Sequence, residues 1–121
     1  MVGGMDARPA LGRRGEDLAV EWLEHSGYVV LERNYRCSQG EIDIVAVDGD
    51  TLVFCEVKTR RTSRWGQPSE AVHRAKQSRY RRLAASWIAE RRPGSVQVRF
   101  DVVSVIVGAR SPQVTHIPDA F

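Results

Sequence analysis

Cysteine, histidine and long apolar runs are all scarce in this chain of 121 residues, and each scarcity excludes a class of protein. The two cysteines, Cys37 and Cys55, form no CxxC, and Cys55 alternates onto the apolar face of its segment. Both are therefore expected as reduced thiols, without a disulfide framework or a dithiol redox motif. The three histidines, His25, His73 and His116, lack ligand spacing, which leaves a zinc site unsupported and places them at the surface. No stretch approaches membrane-spanning length, and residues 1–11 lack the apolar centre of a signal peptide. A cytoplasmic protein without a membrane partner is expected.

What is present is an ordinary globular composition, 42% hydrophobic and 27% charged, enough for one domain with little room for a second. Residues 1–11, with Gly3, Gly4 and Pro9, read as a mobile N-terminal arm in which Met5 offers a second start, and residues 12–121 as a single domain. Within it, Gly12 to Ser26 fits a helix with Leu18, Ala19, Trp22 and Leu23 as its apolar stripe and Gly27 as its stop. Glu16 near its first turn reads, on local grounds, as compensation of the helix dipole, a role Asp17 could share.

Tyr28 to Glu32 reads as a first strand and Asn34 to Gln39 as a connector. Asp48-Gly49-Asp50 is a turn signal between Glu41–Val47 and Thr51–Lys58, which should form an antiparallel hairpin. A long helix is expected from Ser69 to Arg92, ended by Pro93-Gly94, with Val72, Lys76, Tyr80, Leu83 and Trp87 along its apolar stripe. Val96 to Val107 then reads as a covered strand, made parallel to the hairpin by the crossover helix, and Val114 to Ile117 as a short edge strand. Arg99 and Asp101 alternate on one face as a structural ion pair. The fold class is α/β, a mixed sheet with flanking helices.

Chemistry concentrates in the hairpin, where Gly40-Glu41-Ile42-Asp43 and Glu56-Val57-Lys58 carry charges inside segments that otherwise read as buried strand. Period-2 alternation puts Glu56 and Lys58 on one face and Val53, Cys55 and Val57 on the other. A loop with an even number of residues brings Asp43 to the same face as Glu56. Paired carboxylates raise each other's pKa and lose solvation, so a cation between them is stabilising, and hard oxygen ligands imply Mg²⁺ or Mn²⁺. Lys58 could offset charge developing on a phosphate or orient an attacking water, as phosphodiester cleavage requires. The competing reading is a Glu56–Lys58 neighbour pair with Asp43 solvated on an uncovered sheet face.

The net charge is only +3, but the basic residues are clustered. Arg13 and Arg14 precede the first acid, Arg60, Arg61 and Arg64 follow Lys58, and Arg74, Lys76, Arg79, Arg81 and Arg82 crowd the second helix. Such charge beside a carboxylate site suits a nucleic acid, with Arg13, Arg14, Arg60, Arg61, Arg64 and Lys76 as the candidate contacts, whereas a solvated basic helix face is the bland alternative. Lys76 is an anomaly on the apolar stripe. Snorkelling past its neighbours is the expected arrangement, and pointing across the sheet toward the carboxylates is the other.

Taken together, Gly15-Glu16, Arg33-Asn34-Tyr35-Arg36, Gly40-Glu41-Ile42-Asp43, Phe54-Cys55-Glu56-Val57-Lys58, Gly66-Gln67-Pro68, Lys76 and Arg99-Phe100-Asp101-Val102-Val103 resemble the YraN-like family of small bacterial proteins. That family is grouped as endonuclease-related within the PD-(D/E)XK restriction-endonuclease-like superfamily. The resemblance implies a restriction-endonuclease-like αβββαβ core similar to that of archaeal Holliday-junction resolvases. It also implies that Glu16, Asp43, Glu56 and the Val57 carbonyl hold Mg²⁺ or Mn²⁺, with Lys58 assisting the attacking water. Cys55 stands where relatives often carry valine, a difference expected to affect packing only.

Three functions follow as expectations. The first is a metal-dependent endonuclease acting on DNA, with branched, flapped or single-stranded DNA as candidate substrates and Asp43, Glu56 and Lys58 as its catalytic residues. The second is a non-catalytic nucleic-acid-binding or partner module on the same fold, and the third a protein-interaction scaffold anchored by Trp65 or Trp87. The chain carries no zinc finger or helix-turn-helix, so recognition by backbone or by DNA structure is expected over base reading. A homodimer with symmetric sites is compatible with action on both strands.

Overall fold

The computed structural model describes residues 10–62, 74–108 and 110–121. In chain order the elements are α1 (Ala10–His25), β1 (Val29–Cys37), β2 (Gly40–Asp48), β3 (Thr51–Arg60), α2 (Arg74–Arg91), β4 (Gln97–Ile106) and β5 (Gln113–Ile117). The strands form one sheet in the order β1-β2-β3-β4-β5. Pairing is antiparallel except between β3 and β4, which run parallel from Thr51↔Gln97 to Arg60↔Ile106. The reason is connection length: antiparallel neighbours can be joined by a few residues, while a parallel pair requires a crossover, here the segment that contains α2. The result is an αβββαβ core with β5 added at the edge.

Each boundary shift has a local cause. The helix begins at Ala10, so Ala10 and Leu11 belong to α1 rather than to an arm, and residues 1–9 lie outside the described residues. The connector expected over Asn34–Gln39 is instead mostly strand: Asn34 adopts φ 57, yet the register runs unshifted from Arg33↔Ile44 to Tyr35↔Ile42. Asparagine tolerates that left-handed conformation better than most residues, and pairing resumes from Tyr35↔Ile42 to Cys37↔Gly40. Asp48 pairs with Thr51, leaving Gly49-Asp50 as the even-numbered loop, and Gly49 takes φ 64 as such tight hairpin turns demand. Strand β3 runs past Lys58 to Arg60, so the basic stretch begins inside the sheet. The start of the second helix expected at Ser69 falls outside the described residues. Its end comes at Arg91, where Arg92 turns to φ 50 ahead of Pro93.

Alternation along β3 builds two cores, one on each face. Leu52 and Phe54 pack with Tyr35, Ile42, Tyr80, Leu83, Trp87 and Phe100 toward α2, while Val53 and Cys55 pack with Ala19, Leu23, Ile44, Val103 and Val105 toward α1. A strand apolar on both faces belongs in the middle of a covered sheet, which is where β3 lies. Phe54 is fully buried and meets Trp87 edge-to-face at 5.8 Å. Trp87 therefore serves the core, and Trp65 lies outside the described residues. Of the expected α1 stripe, Ala19 and Leu23 are fully buried, whereas Trp22 is 42% exposed and stands off the sheet.

Two contacts set the helix and the last strands in place. A Cβ on Gly15 would run into the Thr59 side chain, so α1 lies against β3 at a distance only glycine permits. At the other end, the Arg99–Asp101 pair is present and larger than expected. Asp101, fully buried, accepts from the Arg99 guanidinium at 2.9 and 3.0 Å, from the Asp119 N–H at 3.0 Å and contacts His116 Nε2 at 2.7 Å. His116 is thus no surface histidine: its side chain is 9% exposed and joins β5 to β4. Burial alone would raise the Asp101 carboxyl, but the hydrogen bonds from His116, Arg99 and the Asp119 N–H outweigh it and hold the group below its ordinary range.

Candidate functional site

The paired register of the hairpin ends at Ile44↔Cys55, just short of Asp43 and Glu56, and these two acids line the same clefts. There Asp43 Oδ2 accepts a hydrogen bond from the Val57 N–H at 2.8 Å. Burial first, then the charge of Glu56, raise the Asp43 carboxyl to about 7, with Glu16 and Glu41 adding to the push and the Val57 N–H opposing it. Glu56 itself is 6% exposed. Adjacent strands thus hold two carboxyl groups against each other in a poorly hydrated position, the arrangement in which a counter-charge is most strongly favoured.

Glu16 joins them from α1. With the helix starting at Ala10, no acid lies in the first turn, and Glu16 is 3% exposed, so the dipole reading is overturned. Its Oε1 accepts from Arg33 Nε at 2.8 Å and Asn34 Nδ2 at 3.0 Å. Arg33 also reaches Asp17 at 2.6 Å. The left-handed turn at Asn34 interrupts strand alternation, which lets two consecutive side chains of β1 serve the same carboxylate. The close packing permitted by Gly15 brings Glu16 to the end of β3.

Lys76 comes from the opposite side. It does not snorkel into solvent: Nζ lies 2.7 Å from Glu56 Oε1, its side chain 30% exposed against 8% for Glu56. Tyr80, one turn along α2, is buried and donates from its hydroxyl to the Cys55 carbonyl at 3.3 Å. Burial and then the charges of Asp43 and Glu56 push that phenol well above its usual range. Asp43 and Glu56 consequently form a wall shared by two clefts. On the α1 side a cleft of about 310 Å³ is lined by Gly12, Glu16, Val57, Lys58 and Thr59 as well. On the α2 side one of about 230 Å³ adds Glu41, Lys76, Arg79, Tyr80 and Leu83.

All four proposed ligand residues, Glu16, Asp43, Glu56 and Val57, together with Lys58, line the α1-side cleft. The expected nucleic-acid contacts are more dispersed. Arg13 and Arg14 lie on α1, half-buried and exposed respectively, Arg60 is half-buried at the end of β3, and Arg61 is exposed just beyond it. Arg64 lies outside the described residues, and Lys76 is engaged by Glu56. Arg33, Asn34, Arg79 and Tyr80 were not singled out for roles by the sequence. Only the basic asparagine-containing run at Arg33-Asn34 and the turn-spaced Lys76 and Tyr80 could have signalled them.

Would a divalent ion fit here? The donor chemistry suits one, since three carboxylates and a strand-end carbonyl are hard oxygen ligands. The distances do not: among the described residues, no three acid, histidine or cysteine side chains gather closely enough to hold a metal ion. Glu16 is held by Arg33 and Asn34, and Glu56 by Lys76.

The fold and the site define an α/β protein whose central hairpin presents an acid-walled cleft between two helices. The chain belongs to the uncharacterised protein family UPF0102, whose family model matches residues 15–105. It is similar to the UPF0102 protein of Frankia casuarinae, 51% identical over 97% of this chain and 100% of that one. The UPF0102 protein of Geobacter metallireducens is 49% identical over 93% of this chain and 92% of its own length. That of Beutenbergia cavernae is 51% identical over 93% and 97%. The YraN-like resemblance holds at the level of this family, and the match includes Glu16, Asp43, Glu56, Val57, Lys58 and Lys76 while Arg13 and Arg14 precede it. Among the described residues no helix is long and apolar enough to cross a membrane.

Proposed function

We propose that this protein is a metal-dependent endonuclease of the PD-(D/E)XK type that hydrolyses DNA phosphodiester bonds, selecting branched, flapped or single-stranded DNA by structure. The observation that carries the reading is that Glu16, Asp43, Glu56, Val57 and Lys58, drawn from three elements, line one cleft. On this reading Asp43, Glu56, the Val57 carbonyl and Glu16 would have to draw closer together than they stand to hold Mg²⁺ or Mn²⁺, which when bound would supply an activated water and neutralise charge at phosphorus. Lys58 stands on the same cleft to offset the negative charge that builds on the phosphate oxygens during in-line attack. Arg13, Arg14, Arg60 and Arg61 supply sequence-independent phosphate contacts around it. The sequence carries no evident zinc finger or helix-turn-helix, which fits selection by shape.

The test is cleavage of labelled duplex, single-stranded, flap and four-way-junction DNA in magnesium, manganese or EDTA, with wild type beside Asp43→Ala. Metal-dependent cleavage by wild type alone is expected. Equal cleavage by both proteins refutes the assignment.

One observation favours a second reading, a nucleic-acid-binding module without catalysis: Glu16 and Glu56 are already neutralised by Arg33 and Lys76. That reading requires salt-sensitive DNA binding, weakened by changing Arg60 or Arg61, and no cleavage in any metal. We further propose a homodimer, supported by β1, an edge strand carrying the exposed apolar side chains of Val29 and Leu31. Sedimentation across a concentration series reads it directly.

A further inference from the structure

We infer that the outer face of α2 is a nucleic-acid surface of its own, on which Arg74, Arg79, Arg81 and Arg82 hold a phosphate backbone. The inference rests on the nucleic-acid reading of the protein, which the nuclease and the binding module share, and on neither a metal ion nor cleavage. Within α2, Glu90 is the only acid. It lies 3.0 Å from Arg91, which Glu32 also meets at 2.8 and 2.9 Å, so the positive charge at that end of the helix is already neutralised. Arg74, Arg79, Arg81 and Arg82 are exposed, and among the described residues no acid pairs with any of them. Arg79 and Arg82 stand three residues apart, where like charges on a helix repel. The grouping therefore works against folding, and an anionic partner would relieve it.

Two of the four are positioned by neutral groups. Arg82 Nε donates to Gln39 Oε1 at 3.3 Å, and the Arg81 guanidinium lies 5.3 Å from the centre of the Phe100 ring. Such contacts orient a guanidinium without cancelling its charge, and its planar fork suits phosphate oxygens. From Arg74 to Arg82 the helix rises about 12 Å, room for about three phosphates of one strand. Arg79 lines the α2-side cleft, so the face runs up to the wall formed by Asp43 and Glu56. Because α2 packs on the sheet face opposite α1, this surface is separate from Arg13 and Arg14. A membrane or a protein groove is the poorer match, since both call for large apolar anchors. Among the described residues the exposed large apolar side chains, Trp22, Val29, Leu31 and Val98, all lie on other elements.

The experiment is fluorescence anisotropy of labelled duplex DNA and RNA in EDTA across a KCl series. It compares wild type with Arg79→Gln/Arg82→Gln and, as a control of equal net charge, Arg91→Gln/Arg92→Gln, each first shown to fold by thermal unfolding. Arg79→Gln/Arg82→Gln should bind on the order of tenfold more weakly at low salt, with the slope of log affinity against log salt reduced by about 2 and the loss alike for unrelated sequences. The control should stay close to wild type. Equal losses in the two variants, or none in either, overturn the α2 surface while binding by wild type keeps the nucleic-acid reading. Binding to phosphatidylserine vesicles or polyglutamate that Arg79→Gln/Arg82→Gln abolishes, with DNA and RNA binding unchanged, overturns it in favour of another polyanion. If wild type binds neither DNA nor RNA at low salt, the nucleic-acid reading fails and the surface falls with it.

Discussion

Replacing Asp43 with asparagine should make the protein more stable at neutral pH, and by an amount that grows with pH. The carboxyl is raised from 3.8 to about 7, through burial first and then the charge of Glu56. A raised acid contributes its full share of stability below its unfolded value, loses it progressively as the pH climbs, and has lost it above the folded value. The window is therefore roughly pH 4 to 7. At about 1.4 kcal/mol per pH unit the ceiling is about 4 kcal/mol, and partial hydration through the cleft reduces it to on the order of 2–3 kcal/mol. Asparagine keeps an oxygen for the Val57 N–H and carries no charge at any pH. Asp43→Asn and wild type should then melt together near pH 4, with the variant ahead by roughly 6–15 °C at pH 8. Differential scanning calorimetry in metal-free buffer across that range measures it. A melting gap that stays flat or favours wild type at pH 8 would show that Asp43 is not held in an electrostatically strained position. Excess magnesium should narrow the gap at pH 8 by stabilising wild type alone, which ties the strain to the proposed cation.

Two further outcomes test how the site is held. Gly15→Ala adds a residue that exposed helices favour by about 1 kcal/mol, yet its methyl group meets Thr59, so a net loss of about 1–3 kcal/mol is expected in urea unfolding. A double-mutant cycle with Thr59→Gly should show clear coupling, and additivity would refute the close contact. Asp101→Ala leaves Arg99 and His116 facing a vacated carboxylate, with an expected loss of about 3–5 kcal/mol at pH 7. Because the Asp101 carboxyl is depressed, its contribution is present above about pH 4 and lost as the pH falls through its folded value, so the penalty should shrink at pH 3. A deficit below about 1 kcal/mol at pH 7 would contradict the network.

Periodicity and turn chemistry made most of the architecture legible. Alternation at Val53-Phe54-Cys55-Glu56-Val57-Lys58 and the turn at Gly49-Asp50 are local properties, and they set the hairpin register from Asp48↔Thr51 to Ile44↔Cys55, beside which Asp43 and Glu56 line the same clefts. The same holds for the Arg99–Asp101 neighbour pair and for a crossover long enough to make β4 parallel to β3. What local pattern could not decide was anything resting on contact between distant elements. Glu16 near the start of a helix reads as a dipole-compensating acid until α1 is laid on β3, where burial and the Arg33 and Asn34 donors give it a different partner. Lys76 on an apolar stripe reads as a snorkelling lysine until the fold puts a buried carboxylate within reach of its amine. His116 reads as a surface residue until β5 folds it onto Asp101. Charges are promiscuous in sequence because any of several partners could neutralise them, whereas an apolar residue at a given period has one face to bury. The order of strands was therefore written locally, and only the packed structure selected which cation stands on which acid.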